Sequence, residues 1–277
     1  MHKIWKCRDK SISLGQKTII MGILNTTPDS FSDGGKFNSH DSARKRIEEM
    51  LEEGADIIDI GGESSRPFAE PVPKDIELER VIPIIEEFGG SCIISIDTYK
   101  PSVAKEAMEA GAKIINDITG FRNPSMANIA VEFDAGVVIM HMLGNPQSMQ
   151  KNPKYDNVTK EILSYLVKQS RMLIDEGLDS KNIAIDPGIG FGKTVGDNFE
   201  ILRNLSSFTK AGYPVLLGAS RKSFMKAAGL EDVSQRLEGS IASAAIGIVN
   251  GASILRVHDI IETAQAARIA DAIRYGI

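Results

Sequence analysis

The stretch Ile254-Leu255-Arg256-Val257-His258 sets two ionisable side chains among apolar ones at every second position. Side chains alternate across a strand, so Arg256 and His258 share one face while Leu255 and Val257 share the other. Seven further apolar runs precede it: Thr18–Leu24, Ile57–Ile60, Ile93–Ile96, Ile114–Ile115, Val137–Met140, Ile183–Ile185 and Val215–Leu217. Nearly every run hands over to a polar residue where it ends. These residues are Asn25, then Glu63 and Arg66 just past Gly61-Gly62, then Asp97, Asn116, His141, Asp186 and Lys222. Parallel strands of a (β/α)8 barrel are buried on both faces and read as β-branched runs, and such barrels carry their chemistry at the strands' C-terminal ends. The pattern predicts an α/β fold, a TIM barrel with one polar rim.

Segments of helical period separate the runs: Ser42–Glu53, Lys74–Phe88, Ser102–Ala110, Val158–Glu176, Asn198–Phe208 and Ile260–Ile273. Gly54, Gly111 and Gly177 each follow an acidic helix end, where glycine favours the left-handed stop. A barrel of this kind takes about 250 residues as one unit, so residues 1–277 are expected to form a single domain. The stretch Met1–Gln16 is expected to form a hairpin across the barrel's lower mouth. Three connections after strands are long: Asn25–Asn38, Gly61–Lys74 and His141–Asn157. Long loops in compact domains are commonly functional.

Composition narrows the chemistry. With 42% hydrophobic and 25% charged residues the chain can build a large core, and its formal net charge of −5 argues against a sequence-independent nucleic-acid binder. No apolar stretch approaches the roughly 20 residues that span a bilayer, and the start lacks the apolar region of a signal peptide, so a cytoplasmic protein is expected. The two cysteines, Cys7 and Cys92, read as reduced structural thiols. The four histidines show no zinc-ligand spacing.

Two constellations carry chemistry. Arg256 and His258 would place donors at the rim after the last strand, where this fold often holds phosphate, and Arg66 could add a bidentate donor. A salt-bridging Arg beside a solvated His remains the plainer alternative. Asp97, Asn116, Asp186 and Lys222, from four strand ends, complement a fused amide-like heterocycle: carboxylates accept from ring N–H and amino groups, while an ammonium donates to a ring carbonyl. Each residue alone could equally cap a helix or turn. The segment Asp186-Pro187-Gly188-Ile189-Gly190-Phe191-Gly192-Lys193-Thr194 mimics a phosphate loop but misses its spacing by one residue, since Pro187 stands where the first glycine belongs. Its glycines instead suit close approach of backbone to a flat ligand covered by Phe191. In Ser220-Arg221-Lys222-Ser223-Phe224, leading into a helix, exposed N–H groups would attract a carboxylate, and Lys222 as a Schiff-base nucleophile is a further alternative.

These motifs together resemble one family. Asn25–Gly35 (N-T-T-P-D-S-F-S-D-G-G), Gly61–Pro67 (G-G-E-S-S-R-P), Ser95–Lys100, Ile115–Ile118, Ile185–Lys193, Ser220–Phe224 and Arg256–Asp259 are similar, in order, to the dihydropteroate synthases of folate biosynthesis. The resemblance covers the chain from about Thr18 onward. It implies a transferase that joins 6-hydroxymethyl-7,8-dihydropterin pyrophosphate to 4-aminobenzoate with Mg2+ on the leaving group, a homodimer, and a target of sulfonamide inhibitors. By family position, the pterin would be held by Asp97, Asn116, Met140, Asp186, Phe191, Gly218 and Lys222. Pyrophosphate would fall to Asn25, Ser65, Arg66, Arg256 and His258, with Asn25 also reaching the metal. Aminobenzoate would lie among Phe31, Pro67, Phe191, Lys222 and Ser223. Departure of pyrophosphate first, leaving a pterin-methyl cation, would make Asp33, Asp97, Asp186, Lys222 and Arg256 the catalytic set, acting through charge.

Two positions depart from the family pattern. Phe68 stands where the second loop usually has glycine and is expected to stiffen it, altering aminobenzoate and sulfonamide affinity. Leu143 stands where arginine is expected. Two rivals share the pterin-ring residues: a methyltetrahydrofolate-dependent corrinoid methyltransferase domain and a catalytically inactive pterin-binding protein. The residues for a diphosphate leaving group weigh against both.

Overall fold

A computed structural model describes residues 4–26, 36–64 and 69–276. Two strands, β1 (Ile4–Cys7) and β2 (Lys10–Ser13), form an antiparallel hairpin. Eight parallel strands follow in alternation with helices: β3 (Ile19–Asn25), β4 (Ile57–Gly61), β5 (Ile94–Asp97), β6 (Ile114–Asp117), β7 (Gly136–Met140), β8 (Ile183–Asp186), β9 (Leu216–Leu217) and β10 (Ile254–Val257). Their order runs β8-β7-β6-β5-β4-β3-β10-β9, and a parallel bridge from Ile185 to Val215 closes the ends into a barrel. Seven coincide with the apolar runs of the sequence to within one residue at either end, and the shorter run Ile114–Ile115 extends by two residues to Asp117.

The described helices are α1 (Lys36–Glu52), α2 (Lys74–Phe88), α3 (Pro101–Ala110), α4 (Pro124–Glu132), α5 (Val158–Asp175), α6 (Val195–Arg203), α7 (Ser206–Thr209), α8 (Leu237–Val249) and α9 (Ile260–Tyr275). Three differences from the sequence expectation stand out. The single helix expected over Asn198–Phe208 is two, because Asn204 and Leu205 break the run; α6 opens at Thr194, whose hydroxyl and Asp197 form a reciprocal capping box. Helices α4 and α8 lie outside the segments of helical period expected from the sequence. The segment after Lys222 is a single 3-10 stretch, Ser223–Ala228, rather than an α-helix. The glycine stops hold: Gly54, Gly111 and Gly177 have φ of 103°, 122° and 111°.

Two apolar layers result. One lies between sheet and helices and includes Leu255 and Val257; the other fills the lower barrel with Ile19, Met21, Ile57, Ile114, Val138, Ala184, Leu216 and Ile254. The hairpin closes that lower layer with Trp5, Cys7 and Ile12. The Trp5 indole N–H donates to the Asn182 carbonyl at 2.8 Å, so its one polar atom is satisfied inside the core. The fit is close, since a Cβ on Gly136 would stand 2.7 Å from Cys7 Sγ.

Candidate active site

Period-two alternation decides which residues meet above that apolar layer. Ile57, Ile114, Ala184, Leu216 and Ile254 point inward, so Asp59, Asn116, Asp186, Gly218 and Arg256, two residues on, point inward one level higher. By the same rule Ser95 and Asp97 follow Ile93, and Met140 follows Val138. The barrel interior therefore changes from apolar to polar within one step on five strands, through Asp59, Ser95, Asn116, Asp186 and Arg256.

Arg256 is the centre of the charged layer. Its Nε donates to Asp59 Oδ2 at 2.6 Å and its Nη2 to Asp97 Oδ2 at 2.6 Å, while Asn116 Nδ2 donates to the same Asp59 oxygen at 3.1 Å. Asp59 was missed by the sequence reading, although a carboxylate at an inward position within Ile57-Ile58-Asp59-Ile60 was the available signal. It is fully buried and its Oδ1 has no hydrogen-bond partner. Ser95, its register neighbour on β5, also buries a hydroxyl without a partner. Residues assigned separately to the ring (Asp97) and to the diphosphate (Arg256) thus share one ion pair. The Arg is salt-bridged as the plainer alternative had it, but inside the barrel.

Burial shapes the protonation of this layer. It raises the Asp97 carboxyl, with Arg256 pulling the other way. It raises Asp186 too, against the Gly188 N–H, which donates to Oδ1 at 2.7 Å, and against Lys222, Lys193 and Arg256. Arg256 loses solvation, yet Asp59 and Asp97 outweigh that loss and hold it charged. Burial, reinforced by Arg256 and Lys222, pushes the His258 ring down to about 4. His258 is therefore a neutral donor or acceptor near pH 7 rather than a cation, and its Nδ1 lies 3.0 Å from Ser220 Oγ.

Around this layer the remaining residues fall into place. Gly218 leaves open the space between Arg256 and Asp186, each 3.9 Å from where its Cβ would stand. Lys222 Nζ sits 4.0 Å over the Phe191 ring centroid. Met140 and Phe191 pack with Ile118, Met142 and Met149 in a separate apolar cluster at the rim. Asn25 ends β3 beside Gly61 of β4, and Ser223 is exposed at the first residue of its 3-10 stretch. Phe31, Asp33, Ser65, Arg66, Pro67 and Phe68 lie outside the described residues.

The second loop's stems converge on one ammonium. Lys100 pairs with Glu63, with Glu77 at 2.5 Å and with the Val72 carbonyl at 2.7 Å, and Tyr99 donates to Glu63 at 2.6 Å. Glu77, a further residue unread in the sequence, is buried and also accepts from Thr98 Oγ1 at 2.7 Å. Both ends of the connection are thereby tied to the residues that follow Asp97.

Fold and site define an α/β barrel protein with an acid–base layer at its C-terminal rim. The chain belongs to the pterin binding enzyme family, whose model matches residues 21–258. It is 46% identical over 266 residues to the dihydropteroate synthase of Haemophilus influenzae, covering 95% of each chain. Among solved structures, a Clostridium difficile dihydropteroate synthase crystallised in the presence of pteroic acid aligns with TM-score 0.89 at 44% identity, covering 95% of this chain and 98% of that one. A Xanthomonas albilineans dihydropteroate synthase with 4-aminobenzoic acid aligns with TM-score 0.92 at 39% identity, covering 99% and 98%.

Proposed function

We infer that this chain is a transferase of folate synthesis that condenses 6-hydroxymethyl-7,8-dihydropterin pyrophosphate with 4-aminobenzoate, giving 7,8-dihydropteroate and pyrophosphate. The observation that carries this reading is the layer of Asp97, Asn116 and Asp186 on three strand ends, with Lys222 in the connection after a fourth, around Arg256 at one rim of a barrel whose relatives are dihydropteroate synthases. The C–O bond to the diphosphate breaks, a C–N bond to the aniline nitrogen forms, and that nitrogen loses a proton. An aniline is a weak nucleophile, so activation has to come from the electrophile. Asp97 and Asp186 accept from the pterin's N–H groups and favour positive charge on the ring as the diphosphate departs, while Lys222 donates to its carbonyl. A fixed contact of this kind contributes on the order of 3 kcal/mol in other enzymes. His258 offers a neutral N–H to the leaving group.

Magnesium fits as a substrate-borne ion. The described residues hold no cluster of three His, Cys, Asp or Glu able to bind a metal, and Mg2+ commonly binds through one or two protein oxygens plus substrate phosphates and water. Asn25 would supply its side-chain oxygen. When bound, the ion neutralises charge on the departing diphosphate.

Two further properties belong to the same reading. A homodimer is favoured by an apolar groove on α8 and α9, where Ile246, Val249, Ile269 and Ile273 are 55%, 51%, 66% and 71% exposed. A second copy would cover it, and light scattering should read two chains per particle, falling to one for Ile269→Asp. A cytoplasmic protein is favoured by two unpaired thiols, Cys7 and Cys92, and no described helix is long and apolar enough to cross a membrane.

Incubation with both substrates and Mg2+ should yield 7,8-dihydropteroate by mass and equimolar pyrophosphate, with competition by a sulfonamide. Methyl transfer without pyrophosphate would favour the corrinoid-linked reading, and ring binding without turnover the inactive one.

A further inference from the structure

The phosphate-loop look-alike leaves one residue without a role. Lys193 does not face a rim anion: it is 3% exposed, and its Nζ sits 2.9 Å from the Phe191 carbonyl, 3.2 Å from the His141 carbonyl and 3.1 Å from His141 Nδ1. Those partners lie on two different connections, β7–α5 and β8–α6. An ammonium has three N–H donors, and three acceptors are present. Among the described residues no carboxylate pairs with it directly; Asp186 and Asp197 act on it only at a distance.

The surroundings show how tightly the two connections are drawn together here. A Cβ on Gly188 would stand 2.1 Å from the His141 carbonyl oxygen, and one on Gly192 would stand 2.7 Å from Leu143 Cβ. Both glycines have positive φ, 70° and 64°, so no other residue fits without strain. Gln150 donates to the Gly190 carbonyl at 2.6 Å and Tyr155 to the Gly192 carbonyl at 2.7 Å. Tyr165 packs edge-on against the His141 ring at 5.1 Å, fixing the other side of the joint.

We propose that Lys193 is a positioning residue that clasps the β8–α6 connection to the β7–α5 connection and so fixes the Phe191 ring beneath Lys222, where the second, aromatic substrate is received. The inference rests on the transferase reading above. Lys193 bonds the carbonyl of Phe191 itself, so loss of the clasp frees the backbone that carries the ring. The pterin contacts of Asp97 and Asn116 stand on strands and are independent of it. The clasp also tolerates loss of a proton. Burial lowers the Lys193 amine to about 7, and a neutral amine can still donate to both carbonyls while accepting from His141 Nδ1–H, with the imidazole changing tautomer rather than charge.

The test compares Lys193→Met, which keeps the chain length and removes the donors, with Gln150→Ala, which removes a milder stitch on the same loop. Steady-state kinetics should show KM for aminobenzoate rising about tenfold in Lys193→Met, equivalent to about 1.4 kcal/mol, with a clearly smaller rise in KM for the pterin diphosphate, whose contacts at Asp97 and Asn116 remain. Gln150→Ala should move in the same direction by less. Hydrogen exchange should quicken over residues 187–194 and remain slow in the barrel strands. Equal rises for both substrates, or unchanged constants in a folded variant, would overturn the proposal. If Lys193→Met does not fold, Gln150→Ala decides by the same split. A wild-type chain that forms no dihydropteroate would defeat the transferase reading instead; exchange then decides the clasp, supported by quickening confined to 187–194 and overturned by an unchanged pattern.

Discussion

The two mouths of this barrel are built from the same eight strands yet have opposite interiors. At the lower mouth the inward positions carry Ile57, Ile114, Val138, Ala184, Leu216 and Ile254, closed over by Trp5 and Cys7. One inward position higher, the same strands present Asp59, Asn116, Met140, Asp186, Gly218 and Arg256. Burying apolar area stabilises whatever it packs against, whereas a buried ion pair contributes little net stability and is costly to leave half-made. The difference teaches a division of labour along each strand: the lower residues hold the barrel closed, and that surplus lets the upper residues be chosen for chemistry.

The sharpest way to break this contrast is at the bottom. Trp5→Ala removes a fully buried indole and is expected to cost about 3 to 5 kcal/mol, read by chemical denaturation, while both KM values stay near wild type. A large change in KM with intact stability would mean that the lower layer is not merely structural. A second test separates the mouths by pH. His258 has its folded value pulled below its ordinary 6.5 to about 4, so its contribution is present above about pH 6.5 and is lost as pH falls toward 4. That loss is on the order of 3 kcal/mol. Replacement by Asn should flatten the acid limb of the stability curve over that window, and an unchanged limb would refute the assignment. The smallest expected effect is on ligand affinity. Asp97→Ala should weaken pterin binding about a hundredfold by calorimetry, equivalent to about 2.8 kcal/mol, with little change in melting temperature because the neighbouring Asp59 still pairs with Arg256. A variant that melts far lower would show that the upper layer also holds the barrel together.

The strands were legible because parallel strands buried on both faces cannot hide their apolar runs. The helices were less so. In α8, Leu237-Glu238-Gly239-Ser240-Ile241-Ala242-Ser243-Ala244-Ala245-Ile246-Gly247-Ile248-Val249 is apolar on both its inner face and the face that lines the outer groove, so no polar stripe marks its period. At the site, the strand-end residues could be read because each follows a run. Asp59 was passed over, because it sits within a run rather than after one; its inward position was readable, but its partner Arg256, 197 residues away, was not. Glu77 was hidden in a helix whose sequence looks solvated, and only the fold shows that it faces Lys100. Lys193 was noticed for a motif it does not form. Its acceptors are two main-chain carbonyls and a histidine on another loop, none of which leaves a trace in local composition.

The N-terminal hairpin has a consequence for how the molecule forms. Its indole is anchored to Asn182, 177 residues downstream, and Arg8 donates to the carbonyls of Met108 and Ala112. These residues leave the ribosome ahead of every barrel strand, yet their binding partners do not exist until most of the strands have been made. Contacts of such long sequence separation are slow to form. A segment made before every barrel strand is therefore among the last to dock, and a nascent chain must carry Trp5 exposed until β8 arrives to receive it.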